Sequence, residues 1–97
     1  MSVVWTETAT SQLQAIKDYL SQSSPGYAQA LARRIIARTE TLDGHPFFGP
    51  QVQEYADPQV RELFEHPYRI VYRVVGQDIQ VVAIVHASRR FPKTPPT

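Results

Sequence analysis

One histidine and a group of arginines between residues 60 and 92 are the side chains best suited to chemistry. Cleaving a phosphodiester needs a group that exchanges a proton near neutral pH, together with fixed cations for the pentavalent phosphate. The residues that could supply both are His86, at the end of the most hydrophobic run, and Arg61, Arg69 and Arg89. A lone histidine at a strand end is more often structural, its ring bonding a backbone carbonyl, so both roles for His86 stay open.

The basic residues are mostly arginine, although the net charge is only +1. Lys17 and Lys93 are the only lysines among ten basic residues, which leaves eight arginines. Because the guanidinium fork suits carboxylates and phosphates, this bias favours either an anionic partner or a surface network of ion pairs. Glu54 and Glu62 are possible general bases, but pairing with arginine is their favoured role.

Several kinds of site are absent from the sequence. There is no cysteine, which excludes a thiolate nucleophile, a disulfide and a sulfur-ligated zinc. There is also no glycine-rich phosphate loop, no serine elbow and no paired histidine spacing, because the three histidines lie in unrelated contexts. We therefore expect no metal and no other cofactor.

Length and composition predict one small domain. With 97 residues the chain can build a single core, which we assign to residues 1–92, followed by a flexible proline-rich tail over 93–97. No apolar run reaches the ~20 residues of a membrane span, and the N-terminus lacks the features of a secretory signal. These observations predict a protein of the cytoplasm with no membrane contact.

The first half of the chain predicts a short strand and two helices. Val3–Trp5 is prone to form a strand, and Thr6 can cap a helix that ends near Ser21. Ser24 and the proline after it match the start of a second helix, which Gly44 closes. Apolar residues recur at helical spacing in both segments, so each helix has one face to bury.

A loop rich in proline and glycine separates these helices from the second half. Phe47 and Phe48 are expected to bury against the edge of the sheet as a plug, with a partner-binding surface as the alternative. Residues 52–55 are expected to form a short strand, and Asp57-Pro58 marks the next turn.

Residues 60–92 predict three consecutive strands. A two-residue turn at Gly76 places Val74 opposite Ile79 and, further along the ladder, pairs Tyr68 with Val85. Because side chains alternate between the faces of a strand, this register leaves a mixed face of arginines and apolar residues. We expect that face to carry Arg69, Val71, Arg73, Gln80, Val82, Ile84 and His86.

Two helices on one side of such a sheet give an α+β fold in the order β-α-α-β-β-β, a helical hairpin packed on a small twisted antiparallel sheet. The helices cover only one side. The mixed face is therefore predicted to be a shallow, half-apolar groove suited to a helix or strand of a partner.

Five passages of the chain occur in an order and spacing that are specific only when taken together. They are Val4-Trp5-Thr6 with Ala9; Leu42, Pro46 and Gly49; Val60-Arg61-Glu62-Leu63; Tyr68-Arg69-Ile70-Val71-Tyr72-Arg73; and Ile84-Val85-His86-Ala87-Ser88-Arg89. On these residues the chain resembles, over residues 3–92, the ParE/RelE superfamily of toxins from type II toxin–antitoxin modules. The resemblance implies a helical hairpin on a twisted antiparallel sheet, as predicted above.

The resemblance also implies two possible activities. ParE-like members inhibit DNA gyrase, whereas RelE-like members cleave messenger RNA on the ribosome. The central strands hold arginine where nuclease members are lysine-rich, and Phe91 stands where a catalytic tyrosine is sought, so the ParE-like branch is favoured. In the ribonuclease alternative, the nearest candidates for an acid, an arginine and a histidine are Glu54, Arg69 and His86.

A cognate antitoxin is the partner that the resemblance implies, in a hetero-oligomer with the toxin. We expect an acidic or amphipathic antitoxin segment to cross the mixed face, with its apolar side chains and carboxylates meeting Arg69, Val71, Arg73, Val82 and Ile84. For the target, gyrase or alternatively the ribosome and its messenger RNA, we expect contacts from Arg61, His86, Arg89 and Arg90.

Overall fold

The computed structural model describes residues 2–96. Two helices and four strands follow one another in the predicted β-α-α-β-β-β order. Their bounds are β1 Val3–Trp5, α1 Glu7–Ser21, α2 Pro25–Glu40, β2 Val60–Glu65, β3 Tyr68–Val75 and β4 Asp78–His86. Within this part of the chain, no helix is long and apolar enough to cross a membrane. The predicted domain covers residues 1–92 and the predicted tail covers residues 93–97. Residue 1 of the domain and residue 97 of the tail lie outside the described residues.

Both helix starts lie where the sequence predicts them. The hydroxyl of Thr6 accepts the backbone N–H of Ala9 at 3.2 Å, which caps α1. Pro25 opens α2, where its missing N–H has no helical partner to lose. The second helix ends at Glu40 rather than at Gly44, and a short turn leads from Glu40 to Gly44. Gly44 has a φ of 81°, a backbone conformation that glycine adopts without steric cost.

The four strands lie in the order β1-β4-β3-β2. β2, β3 and β4 are antiparallel neighbours, as expected, whereas β1 pairs with β4 in parallel, so that the sheet is mixed. The helical hairpin packs on one side of this sheet. The predicted α+β class is therefore confirmed, with one parallel pair added.

A bulge in β4 corrects the predicted pairing. Val74 lies opposite Ile79 as expected, but the register shifts between Val71 and Tyr72, so that Tyr68 pairs with His86 rather than Val85. One extra residue in a strand moves every later side chain to the other face. The predicted placement of Ile84 and His86 on the mixed face is therefore wrong.

Two apolar clusters, one on each side of the sheet, form the core. The larger lies under the helices and includes Leu31, Ile35, Tyr72 and, because of the bulge, Ile84. The smaller lies on the opposite side and consists of Val52, Tyr55, Val60, Val71, Val82 and Ala83, with Val85 and Phe91 packed against it. The side that sequence reasoning left open is thus covered by the chain itself.

The loop between α2 and β2 supplies part of this cover. Residues 52–55 form turns rather than the expected strand, with one isolated bridge between Gln51 and Arg61. Phe47 and Phe48 do not form the expected plug, since 48% and 67% of their surfaces are exposed. Gly49 is the anchor instead, because its N–H donates to the Tyr72 hydroxyl at 3.0 Å and an added Cβ would collide with the Glu62 carbonyl.

Candidate functional site

Two regions carry the residues that the sequence singles out. We name the first the covered face: the side of the sheet opposite the helices, with Arg69, Val71, Arg73 and Val82 lying under Val52, Tyr55 and Phe91. Val71 and Val82 are fully buried there. The predicted groove is therefore already filled, because the loop before β2 and the C-terminal segment lie across it.

Arg69 is the centre of the covered face. Its guanidinium donates to Glu62 through Nε and through Nη2, the latter at 2.9 Å, and to Glu54 through Nη1 at 2.8 Å and Nη2 at 3.0 Å. The hydrogen bonds that Arg69 donates lower the pKa of Glu54, and acceptance of these bonds by Glu62 and Glu54 raises the pKa of Arg69. Arg69 and Glu54 are thus held in their charged forms, and both glutamates pair with this arginine, as the sequence predicts.

Phe91 closes this cluster from above. The guanidinium carbon of Arg69 lies 4.0 Å from the centre of the Phe91 ring, and the Tyr55 ring stacks on the same phenylalanine at 5.7 Å. The Tyr55 hydroxyl donates to the carbonyl of Pro92 at 2.7 Å. The segment before the predicted tail is therefore docked, because an aromatic stack, a cation–π contact and a hydrogen bond hold it.

Two further arginines, Arg73 and Arg61, also bond groups of the chain itself. Arg73 donates to the Asp57 carboxylate at 3.2 Å. Arg61 bonds backbone carbonyls, at 3.0 Å to Pro58 and to Gly49. Arg61 thus stabilises the loop before β2, and it lies apart from the other three residues predicted to contact the target.

The second region, which we name the terminal pocket, lies where α1 passes the end of β4. It is an open cavity of about 790 Å³. Its lining consists of Gln12, Ala15, Ile16, Tyr19, Tyr68, Ile84, Val85, His86, Ser88, Arg89, Arg90 and Pro92. Three of the four predicted target-contact residues meet here, and the charged side chains among these residues are all cationic.

His86 takes its orientation from its neighbours in the pocket. The backbone N–H of Ser88 donates to its Nδ1 at 3.2 Å, and the Ser88 hydroxyl lies 2.7 Å from the same atom. Since a backbone amide can only donate, Nδ1 accepts, and the neutral ring carries its proton on Nε2. The ring meets Tyr68 edge to face at 5.4 Å.

The structure brings together only two of the three residues that the sequence suggests for a ribonuclease site. Glu54 and Arg69 meet on the covered face, whereas His86 packs against Tyr68, whose side chain lies on the opposite face from that of Arg69. Reasoning from the sequence missed Tyr55, Phe91 and Tyr19. Phe91 is a large apolar residue among prolines and charged residues, but Phe47 and Phe48 are exposed in a similar stretch, so this pattern does not by itself indicate burial.

Comparisons with known proteins agree with this architecture. A family model described as the ParE toxin of type II toxin-antitoxin system, parDE, matches residues 3–91. Toxin RelE2 of Caulobacter vibrioides is 39% identical over 88 residues, which are 90% of this chain and 96% of that protein. A solved structure of the chromosomal ParDE TA system from P. aeruginosa superposes with a TM-score of 0.76 at 28% identity, covering 91% of this chain and 97% of that one. The chain belongs to the ParE toxin family of type II toxin–antitoxin systems.

Proposed function

We propose that this toxin arrests bacterial growth by inhibiting DNA gyrase, without cleaving RNA, and that a cognate antitoxin neutralises it. The observation that carries the proposal is the separation of the three groups that a nuclease site would need. Glu54 and Arg69 bond each other on the covered face, while His86 lies with Tyr68 on the helix side.

The state of Arg69 and Glu54 supports the same conclusion. An arginine that stabilises a pentavalent phosphate must turn its N–H groups towards it, but Nε and both terminal nitrogens of Arg69 already bond carboxylates. The lowered pKa of Glu54 also makes this carboxylate a weak base at neutral pH. Neither group is prepared for proton transfer or phosphate binding.

For the gyrase contact we propose the terminal pocket and its rim, with His86, Arg89 and Arg90. These three residues share one cavity, whereas Arg61 is bonded to loop carbonyls elsewhere. Purified toxin should block gyrase supercoiling of relaxed plasmid, and the R89Q/R90Q variant should lose most of the inhibition. Arg33→Gln, which removes one exposed arginine of α2 outside the pocket, is the control and should still inhibit. Normal supercoiling at a molar excess of wild-type toxin would refute the proposal.

Ribosome-dependent cleavage of messenger RNA is the second candidate, because the relative that is 39% identical is named RelE2. This function predicts cleavage products from translating ribosomes that disappear in His86→Ala and in Arg69→Ala. We expect no cleavage by the wild-type toxin. If the wild-type toxin yields cleavage products that disappear in both variants, RNA cleavage replaces gyrase inhibition as the proposed function.

The proposed antitoxin contact on the covered face is narrower than the sequence suggested. Val71 and Val82 are fully buried and Ile84 belongs to the other cluster, which leaves Arg69 and Arg73. We propose that antitoxin carboxylates replace the two more exposed partners, Glu54 and Asp57, whose side chains are 41% and 34% exposed. Substituting Arg69 and Arg73 with glutamate should then weaken the complex strongly.

A nearly isosteric change that removes both carboxylate charges separates this contact from simple loss of stability. In E54Q/D57N both arginines lose their exchangeable internal partners but keep their own charge, so the antitoxin should bind severalfold more tightly. The matched control is Asp18→Asn, on the exposed part of α1, which should leave affinity unchanged. Affinity for the antitoxin is measured by calorimetry. Equal affinity of the double variant and the wild type would show that the antitoxin does not bind at Arg69 and Arg73.

A further inference from the structure

The terminal pocket holds two neighbouring arginines, Arg89 and Arg90, that form no ion pair with a carboxylate of residues 2–96. Arg34 and Arg38 pair with Glu65, Arg69 with Glu54 and Glu62, and Arg73 with Asp57. Within residues 2–96, no carboxylate lies within ion-pair distance of Arg89 or Arg90, and the lining of the pocket contains no aspartate or glutamate. The charge of these two arginines is therefore available to an external anion.

Aromatic rings and hydrogen-bond donors line the same cavity. Tyr19 is 71% exposed on α1, although large aromatic side chains are usually buried. Tyr68 forms part of the opposite wall, and burial, followed by the nearby phenols of Tyr27 and Tyr19, raises its pKa. Tyr68 therefore keeps its proton as a donor, and Nε2–H of His86 is a second donor.

The chain segment that carries the arginines is held in place from the other side of the sheet. Directly after Arg90, Phe91 stacks on Tyr55 and Arg69, and the carbonyl of Pro92 accepts the Tyr55 hydroxyl. Arg89 N–H also donates to the His86 carbonyl at 2.9 Å. These contacts restrict the backbone on both sides of the arginines, which lowers the entropy that binding must remove.

We propose that the terminal pocket binds a nucleotide, with its phosphates on Arg89 and Arg90 and its base against Tyr19. Arginine forks suit phosphate oxygens, an exposed ring offers a stacking surface for any base, and His86 and Tyr68 donate hydrogen bonds between them. The cavity volume of about 790 Å³ is within the range of small-molecule sites. A free nucleotide and one unit of a nucleic-acid strand share this chemistry.

The test uses the 97-residue chain alone and does not involve gyrase, so it fails or succeeds independently of the proposed function. ATP, adenosine, inorganic phosphate and a short single-stranded oligodeoxynucleotide are titrated while backbone amide and histidine ring NMR signals are recorded. We expect saturable ATP binding, with shifts at Tyr19, His86 and Arg89, at least about tenfold tighter than binding of adenosine or phosphate alone. Tighter binding of ATP identifies a free nucleotide as the ligand, and tighter binding of the oligonucleotide identifies a strand.

Three variants complete the test. R89Q/R90Q should lose about tenfold or more in ATP affinity and Tyr19→Ala severalfold. Arg33→Gln, an exposed arginine outside the pocket, should stay within about twofold of wild type. Circular dichroism checks that each variant is folded. The proposal is overturned if ATP does not saturate, if the NMR shifts lie outside the pocket, or if Arg33→Gln weakens binding as much as R89Q/R90Q.

Discussion

The covered face and the terminal pocket are built from the same residue types and have opposite properties. Both combine arginines with aromatic rings, and the segment from Arg89 to Pro92 contributes to both. On the covered face Arg69 bonds two carboxylates under a phenylalanine, so its charge is neutralised within the molecule. In the pocket, no carboxylate among the described residues 2–96 lies within ion-pair distance of Arg89 or Arg90. The function of an arginine here depends on which carboxylates the fold brings within reach, and less on the arginine itself.

This difference also separates stability from binding. Buried and paired charges are expensive to disturb, because removing one partner leaves the other desolvated without compensation. Exposed, unpaired charges contribute little to stability and remain available to ligands. Changes on the covered face should therefore lower the free energy of unfolding. Equivalent changes in the terminal pocket should instead lower the affinity for ATP.

The largest expected effect is that of Arg69→Met. The side chains of Arg69 and Glu62 are 12% and 9% exposed, so methionine would leave a nearly buried carboxylate without its partner. We expect a loss of about 2–4 kcal/mol in the free energy of unfolding, measured with urea. Arg90→Met is the matched control and should change this free energy by less than about 0.5 kcal/mol. Equal effects of the two changes would remove the proposed contrast between the regions.

Phe91→Ala comes next and tests the link between the two regions. Losing the stack on Tyr55 and the contact with Arg69 should cost about 1–2 kcal/mol, and it should also weaken ATP binding because the neighbouring arginines are no longer held. Phe64→Ala removes a ring that is 53% exposed on β2 and should change neither property. Unchanged ATP affinity in Phe91→Ala would show that the docked segment does not prepare the pocket.

Tyr55→Phe tests the docking of the segment around Phe91 with a smaller change. The substitution keeps the ring stack and removes only the hydrogen bond to the Pro92 carbonyl. We expect about 0.5–1.5 kcal/mol of destabilisation in urea unfolding. Because Phe91 stays stacked, ATP affinity should fall less than in Phe91→Ala, and a larger fall would contradict this order.

The smallest effect concerns Glu54 and pH. Arg69 lowers the native pKa of Glu54 below its ordinary value of 4.5, so the pair contributes stability above that value and loses it as pH falls through the native pKa. Glu54→Gln should be slightly less stable than wild type at pH 7, and the difference should shrink as the pH falls below 4.5. The effect is small because 41% of the side chain is exposed. A difference that is constant with pH would exclude this ion pair as its cause.

Much of the fold could be predicted from the sequence, because local signals mark its elements. Thr6 and Pro25 begin helices at the predicted residues, and the turn at Gly76 fixes the first half of the β3–β4 pairing. The pairing of Glu54 and Glu62 with arginine was also predicted. Phe47 and Phe48 were predicted wrongly as a plug, because hydrophobicity alone does not say whether a loop turns its rings inwards.

The sequence by itself determined the order of the elements, the abundance of arginine and the absence of cysteine, since these depend on composition and on contacts a few residues apart. Only the tertiary structure decided where the arginines act. A one-residue bulge in β4 moves Ile84 and His86 to the helix side, and Tyr55 and Phe91 close over Arg69 from segments far apart in the chain. Both features depend on packing between residues that are distant in the sequence, so no local pattern predicts them. A single extra residue is enough to reverse the faces of a strand.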